Sequence, residues 1–317
     1  MTPFCPVYAG LPPDLCPFCR YTELMAYSSR GKQGWGTLHG GLRGEWQRVT
    51  SPRPIPSRPL LIAATSQLAL GGAALAAAAL ALGPLGAVRW GGFVVALASY
   101  GLVAARVLHG LGRHAPHHRF GLANAITLTR AAATALLLGV IGERRLGGPP
   151  ALDGALPWLL AGVAVTALAL DGVDGWAARR HGMASDFGAR FDMDIDALFL
   201  LSLALLAHAT GRVGPWVITI GLMHYAFVLA GRLWRPLSAP LRPLRRRQII
   251  GVMQGAVLIA VMTPVMPAGL APVLCLGALG LLLYSFGIDA VCLATQARRS
   301  ATIGNAAGAS PSGRRST

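Results

Sequence analysis

Charge is scarce in this 317-residue chain, and negative charge scarcest. Asp, Glu, Lys and Arg together make up 13% of it, only 12 residues are acidic, and Lys32 is the single lysine. A soluble domain carries about 25% charged residues, so the composition excludes an ordinary soluble fold. With 54% hydrophobic residues and a mean hydropathy of +0.53, the chain reads as an all-α polytopic membrane protein. The net charge of +16 is carried almost wholly by arginine. These arginines sit in short loops between apolar runs. That placement points to membrane topology and contact with anionic lipid headgroups, and away from nucleic acid.

Cysteine is also sparse: Cys5, Cys16, Cys19, Cys275 and Cys292. Cys16 and Cys19 form one CxxC with no second pair, short of the paired spacing that a structural zinc needs. Cys275 and Cys292 fall in apolar runs and read as small hydrophobes. No apolar run precedes Leu60, so no signal peptide is expected. Residues 1–59, rich in Gly, Pro, Ser and Arg and without periodicity, are expected to form a disordered cytoplasmic extension, as is a basic tail at 296–317.

Between these ends lie eight apolar runs of spanning length, at about 60–84, 90–108, 124–142, 157–177, 191–210, 215–233, 248–266 and 271–294, each near the ~20 residues a bilayer-crossing helix needs. The first two (60–108) are nearly devoid of polar residues and read as accessory helices. The other six, within 109–295, hold the dense polar chemistry. The linker 109–123 carries His109, His114, His117 and His118; clustered histidines can bind a metal, but this linker reads as a solvated, interfacial basic segment. Arginine bias places the N-terminus inside. Arg113, Arg119, Arg179, Arg180, Arg190 and the run Arg242 to Arg247 then face the cytoplasm, against Arg89, Arg144, Arg145 and Arg212 on the other side.

What is present is a concentration of acid. Six of the 12 acidic residues fall between Asp171 and Asp196, where one apolar run ends and the next begins. Asp171 and Asp174 are three apart, Asp192 and Asp196 four apart, so on helices each pair shares a face. Four carboxylates at membrane depth are costly and repel one another unless cations join them, and hard ions such as Mg²⁺ or Mn²⁺ suit oxygen ligands. The small Gly175 and Ala178 allow close approach, Gly188 lets the chain turn before the next helix, and Arg179 suits a phosphate. Together these residues favour a metal-bound diphosphate and a phosphoryl displacement. A solvated loop paired with neighbouring arginines accounts for Asp186, and for Asp194, which lies off the shared face, but not for four acids in register.

The pattern Asp171-x2-Asp174-Gly175-x2-Ala178-Arg179-x8-Gly188-x3-Asp192-x3-Asp196 meets every fixed position of the signature of the CDP-alcohol phosphotransferases, and the chain resembles that family. The resemblance implies a six-helix transmembrane core, matching the six spans from 124 to 294. It implies a reaction in which an alcohol displaces CMP from a CDP-linked donor to form a phosphodiester. It also implies that Asp171, Asp174 and Asp192 ligate two divalent ions, and that Asp196 is the base for the attacking hydroxyl and touches a metal. Gly175, Ala178 and Gly188 would shape the nucleotide and diphosphate pocket, with Arg179 on the phosphates. Asn124-x2-Thr127-x2-Arg130 resembles the start of the family's first core helix, with Ala123 where the family often has Pro. These three are read as substrate-binding, the plainer alternative being a helix cap by Asn124 and a structural ion pair for Arg130. The basic run before Gln254 resembles the start of the fifth core helix, but Ile250 and Gly251 stand where Lys-Thr is usual. Members are commonly dimers, so a homodimer is an expectation.

A membrane-embedded site suits a lipid donor, CDP-diacylglycerol, with a CDP-linked headgroup as the other donor class. The acceptor alcohol is open among glycerol 3-phosphate, inositol phosphate, serine and a second phospholipid. Two other classes compete. An aspartate-rich membrane prenyltransferase would carry its acids on well-separated segments without the Gly-x2-Ala-Arg spacer. A cation transporter would place them near the bilayer midplane. The integral membrane protein is expected in the cytoplasmic membrane with its site facing inward.

Overall fold

The computed structural model describes residues 57–111, 121–147, 154–181, 186–233 and 245–308. The extension through residue 56 with its CxxC, His114, His117, His118 and Arg242 lie outside the described residues. Eight helices follow one another without a strand among the described residues: α1 (Arg58–Ala81), α2 (Trp90–Gly110), α3 (Leu122–Arg145), α4 (Leu156–His181), α5 (Asp186–Ala209), α6 (Ile218–Leu233, preceded by a 3₁₀ turn at Pro215–Val217), α7 (Arg245–Met262) and α8 (Leu270–Gly308). Each expected apolar run corresponds to one helix.

The differences are at the ends. Gly188, expected in a turn, is the third residue of α5, and the acids that follow it are helical from the start. Helix α8 continues past the apolar run, so 296–308, expected to be disordered, are helical as far as Gly308. An apolar run marks the length that lipid covers, and backbone hydrogen bonding can carry a helix beyond it.

Four helices are long and apolar enough to cross a membrane by length and composition: Arg58–Ala81, Trp90–Gly110, Asn124–Arg145 and Leu270–Val291, with shorter apolar helices at Leu156–Gly172 and Pro215–Gly231. Large apolar side chains such as Ile62, Leu70, Leu102, Leu229 and Val273 face outward. An exposed apolar belt on this scale marks a surface that water does not cover. The chain is an integral membrane protein.

Helix α3 is the hub, packing against α1, α2, α4 and α5, while α5 also packs on α6 and α7. The α2–α3 contact is close because it is made by small residues. A Cβ on Gly92 would stand 2.6 Å from the Gly139 carbonyl oxygen, and one on Gly139 would stand 2.9 Å from the Ala96 Cβ. Such faces let helix backbones approach where no hydrophobic drive separates helix from lipid. Glu143 on α3 reinforces the contact: its Oε2 accepts hydrogen bonds from the backbone N–H of Arg89 (3.1 Å) and Gly92 (2.7 Å) at the start of α2. A carboxylate there meets unpaired helix N–H groups and the positive end of the helix dipole.

At the same end of the bundle, two arginines hold helix C-termini. Arg144 donates to the Ala209 carbonyl at 3.0 Å, and Arg212 donates to the Val261 carbonyl at 3.0 Å. Both satisfy carbonyls that a helix end leaves without partners. Gly211, with φ +74°, makes the left-handed step that closes α5. The clustered acids gather at the other end.

Candidate active site

At the opposite end, α3, α4 and α5 bring a buried arginine onto three carboxylates. Arg130 is the ninth residue of α3, roughly 12 Å along the helix at 1.5 Å per residue, and its side chain is 2% exposed. A guanidinium that deep is expensive unless it is paired. Here Nη2 lies 2.9 Å from Oδ1 of Asp171 on α4, Nη1 lies 2.7 Å from Oδ1 of Asp192 on α5, and Nη2 also pairs with Oδ1 of Asp196. Nε donates to the Ala167 carbonyl at 3.2 Å, one helical turn before Asp171. Arg130 thus spans both acid-bearing helices.

The three acids converge. Asp171, Asp192 and Asp196 each offer a carboxylate oxygen, and these oxygens lie within 4.8 Å of one another. Their side chains are 27%, 33% and 40% exposed. The spacing of four between Gly188, Asp192 and Asp196 places them in one row on α5. The donor set is all oxygen, as hard divalent ions require. Among the described side chains, three carboxylates, when ionised, against one guanidinium leave a formal surplus of two negative charges, which a divalent ion would balance. The residues therefore fit Mg²⁺ or Mn²⁺.

Asp174, Gly175, Ala178 and Arg179 continue along α4 beyond Asp171; their side chains are not among those described. Asn124 and Thr127 precede Arg130 at three-residue intervals on α3, and both are buried. They belong to the same helix face as Arg130. The sequence placed Arg130 with the substrate-binding residues, and its guanidinium is directed at the acids.

Two further charged contacts lie toward this end. Asp194, off the shared face of its helix, pairs with Arg106 on α2 at 3.2 Å. Asp289 on α8 is 6% exposed and takes two guanidinium groups from the start of α7: Arg246 Nη2 at 2.7 Å from Oδ1 and Arg247 Nε at 2.7 Å from Oδ2. Arg246 also donates to the Ser285 carbonyl at 3.3 Å. Nothing in the sequence linked Arg106 to Asp194 or Asp289 to the α7 arginines. The available signals were a charge inside an apolar run and a basic run with no acid near it in sequence. Gln254 is fully buried on α7 and donates to the Ala278 carbonyl at 2.7 Å.

Comparison with known families matches residues 120–284 to the CDP-alcohol phosphatidyltransferase model. Comparison with curated proteins and with solved structures returned no match. The matched segment begins just before α3, holds all three clustered acids and Arg130, and ends within α8. It covers a little over half of the chain, which belongs to the CDP-alcohol phosphatidyltransferase family.

Proposed function

We propose that the chain makes a phospholipid by displacing CMP from CDP-diacylglycerol with the hydroxyl of an alcohol, at a site facing the cytoplasm. The observation that carries this reading is the convergence of Asp171, Asp192 and Asp196 from two helices, within the family segment and at one end of the bundle. Asp171, Asp174 and Asp192 would hold divalent ions, Mg²⁺ or Mn²⁺, with Asp196 beside them. Bound there, the ions would neutralise charge on the diphosphate and on the leaving CMP.

The side chains supply the rest. Asp196 takes the proton from the acceptor hydroxyl, whose oxygen forms the new bond to the phosphorus that carries the lipid. The bond from that phosphorus to the CMP oxygen breaks, and CMP leaves with the electron pair. A base so positioned contributes about 10²–10⁴-fold. Arg179 takes the nucleotide phosphates as a guanidinium fork. Gly175, Ala178 and Gly188 leave room for cytidine and diphosphate, and Asn124 and Thr127 supply polar contacts from α3. A homodimer is carried over from the family on the same footing.

The test is incubation of the purified protein in lipid vesicles with labelled CDP-diacylglycerol, Mg²⁺ and, separately, glycerol 3-phosphate, inositol phosphate, serine or phosphatidylglycerol. The expected result is CMP release coupled to one new labelled lipid. A CDP-linked headgroup offered with diacylglycerol tests the other donor class. No CMP release from any pairing in Mg²⁺ or Mn²⁺ would overturn the reading.

A further inference from the structure

The acids and Arg130 are arranged in depth. The three carboxylates are about a third exposed, whereas the guanidinium that touches all of them is sealed at 2%. A ligand therefore meets the acids first and finds Arg130 behind them. Arg130 is fixed in that place by Nε on the Ala167 carbonyl, and it engages one named oxygen, Oδ1, of each acid. A carboxylate has two oxygens and about four acceptor positions, so a guanidinium on one side does not bar a cation from the other.

Charge decides what this arrangement does. Without the guanidinium, three like charges within 4.8 Å would repel one another and drive the cluster apart or force it to take up protons. With it, the fold holds the acids together before any metal arrives. The same positive charge opposes an incoming divalent ion.

We propose that Arg130 is a positioning residue, a built-in cation behind the acids that keeps the cluster assembled without metal and holds its affinity for divalent ions down. Weak binding lets the ion exchange between turnovers instead of being locked into the fold. The inference rests on the divalent-ion reading of the site and deepens it. Arg130 acts on substrate through the acids, not by touching it.

The experiment uses the full-length protein in detergent, with Mn²⁺ binding followed by the electron spin resonance of the free ion and thermal unfolding recorded with and without Mn²⁺. In Arg130→Met, the midpoint without metal should fall, Mn²⁺ should bind at least about tenfold more tightly, and Mn²⁺ should raise the midpoint more than in the wild type. Arg130→Lys keeps the charge and loses the fork. Its Mn²⁺ affinity should stay within about threefold of the wild type while its metal-free midpoint falls part of the way. A purely structural arginine would lower the midpoint without tightening metal binding. Wild-type binding of Mn²⁺ with equal or weaker binding in Arg130→Met overturns this inference alone. So does an Arg130→Met protein that fails to fold even in saturating Mn²⁺, since the ion should then replace the lost charge. No saturable Mn²⁺ binding to the wild type overturns the divalent reading and this inference together.

Discussion

Glu143 accepts a 2.7 Å hydrogen bond from the backbone N–H of Gly92, tying the third helix to the start of the second. The contact joins a helix inside the family segment to one outside it, and Glu143 is itself buried. Glu143→Ala would leave two N–H groups at the start of α2 without this acceptor, and an unsatisfied buried donor costs about 1–3 kcal/mol. A lower thermal midpoint in detergent is expected, with a smaller loss for Glu143→Gln, which keeps an acceptor oxygen. Gly139→Val should be at least as damaging, because its side chain would run into Ala96 and the Gly92 carbonyl. Unchanged midpoints in all three variants would show that α2 docks by other means.

Asp171→Asn and Asp192→Asn each remove one ligand charge from the cluster while leaving Arg130 two acids to pair with. The fold should therefore persist and turnover should not. Changes beyond the ligand shell already cost about 10–100-fold at metal sites, so losses of at least that size are expected, with the Mg²⁺ requirement moved to higher concentration. Near-normal activity at low Mg²⁺ in either variant would count against the metal cluster.

Asp196→Asn should separate binding from chemistry. The amide cannot accept the hydroxyl proton, so the rate of CMP release should fall by about 10²–10⁴-fold. Binding of the CDP-linked donor, measured by displacement of labelled CMP, should stay within a few-fold of the wild type, since Asp171 and Asp192 remain. Equal losses in donor affinity and rate would make Asp196 a ligand and not the base.

The eight helices were legible because each apolar run is long enough to span and is bounded by arginine, glycine or proline. The candidate acids were legible because spacings of three and four fix a helix face from sequence alone. Contacts between helices were not. The intervals 124, 127 and 130 place Asn124, Thr127 and Arg130 on one face of α3, yet only packing sends the guanidinium to Asp171, Asp192 and Asp196. Asp194 reads as a solvated acid until α2 brings Arg106 to it. Asp289, a lone acid in an apolar run, has partners some forty residues away on α7. Periodicity describes one helix at a time, and the rotation of one helix against another is set by side-chain volumes that a single sequence does not sum.

Asp289 carries a separate prediction, because it lies beyond the family segment and neutralises two arginines within it. Asp289→Ala would leave Arg246 and Arg247 without their carboxylate. Breaking a buried ion pair costs about 3–5 kcal/mol; both guanidinium groups are over a quarter exposed, so water relieves part of that and the lower end is expected. The variant should unfold earlier, and adding Arg246→Met to it should recover part of the loss. An unchanged midpoint would reduce the α7–α8 contact to surface pairing.

Residues 1–56 should be dispensable for the reaction. They precede α1 and the family segment, and every acid of the cluster lies between positions 171 and 196. A chain starting at Ser57 is expected to insert and retain CMP-releasing activity within a few-fold of the full chain. A chain starting at Arg119 should behave differently. It removes α1 and α2, strips Glu143 of both N–H donors and Asp194 of Arg106, and exposes the glycine face of α3 to lipid. Poor insertion or a lowered thermal midpoint is the expected outcome, read by membrane fractionation and by unfolding in detergent. Should the chain from Ser57 insert and fold normally yet release no CMP, residues before the first helix, Cys5, Cys16 and Cys19 among them, would have a role in the site. Should the chain from Arg119 be as stable as the full protein, the close packing of α2 on α3 would be incidental to the core.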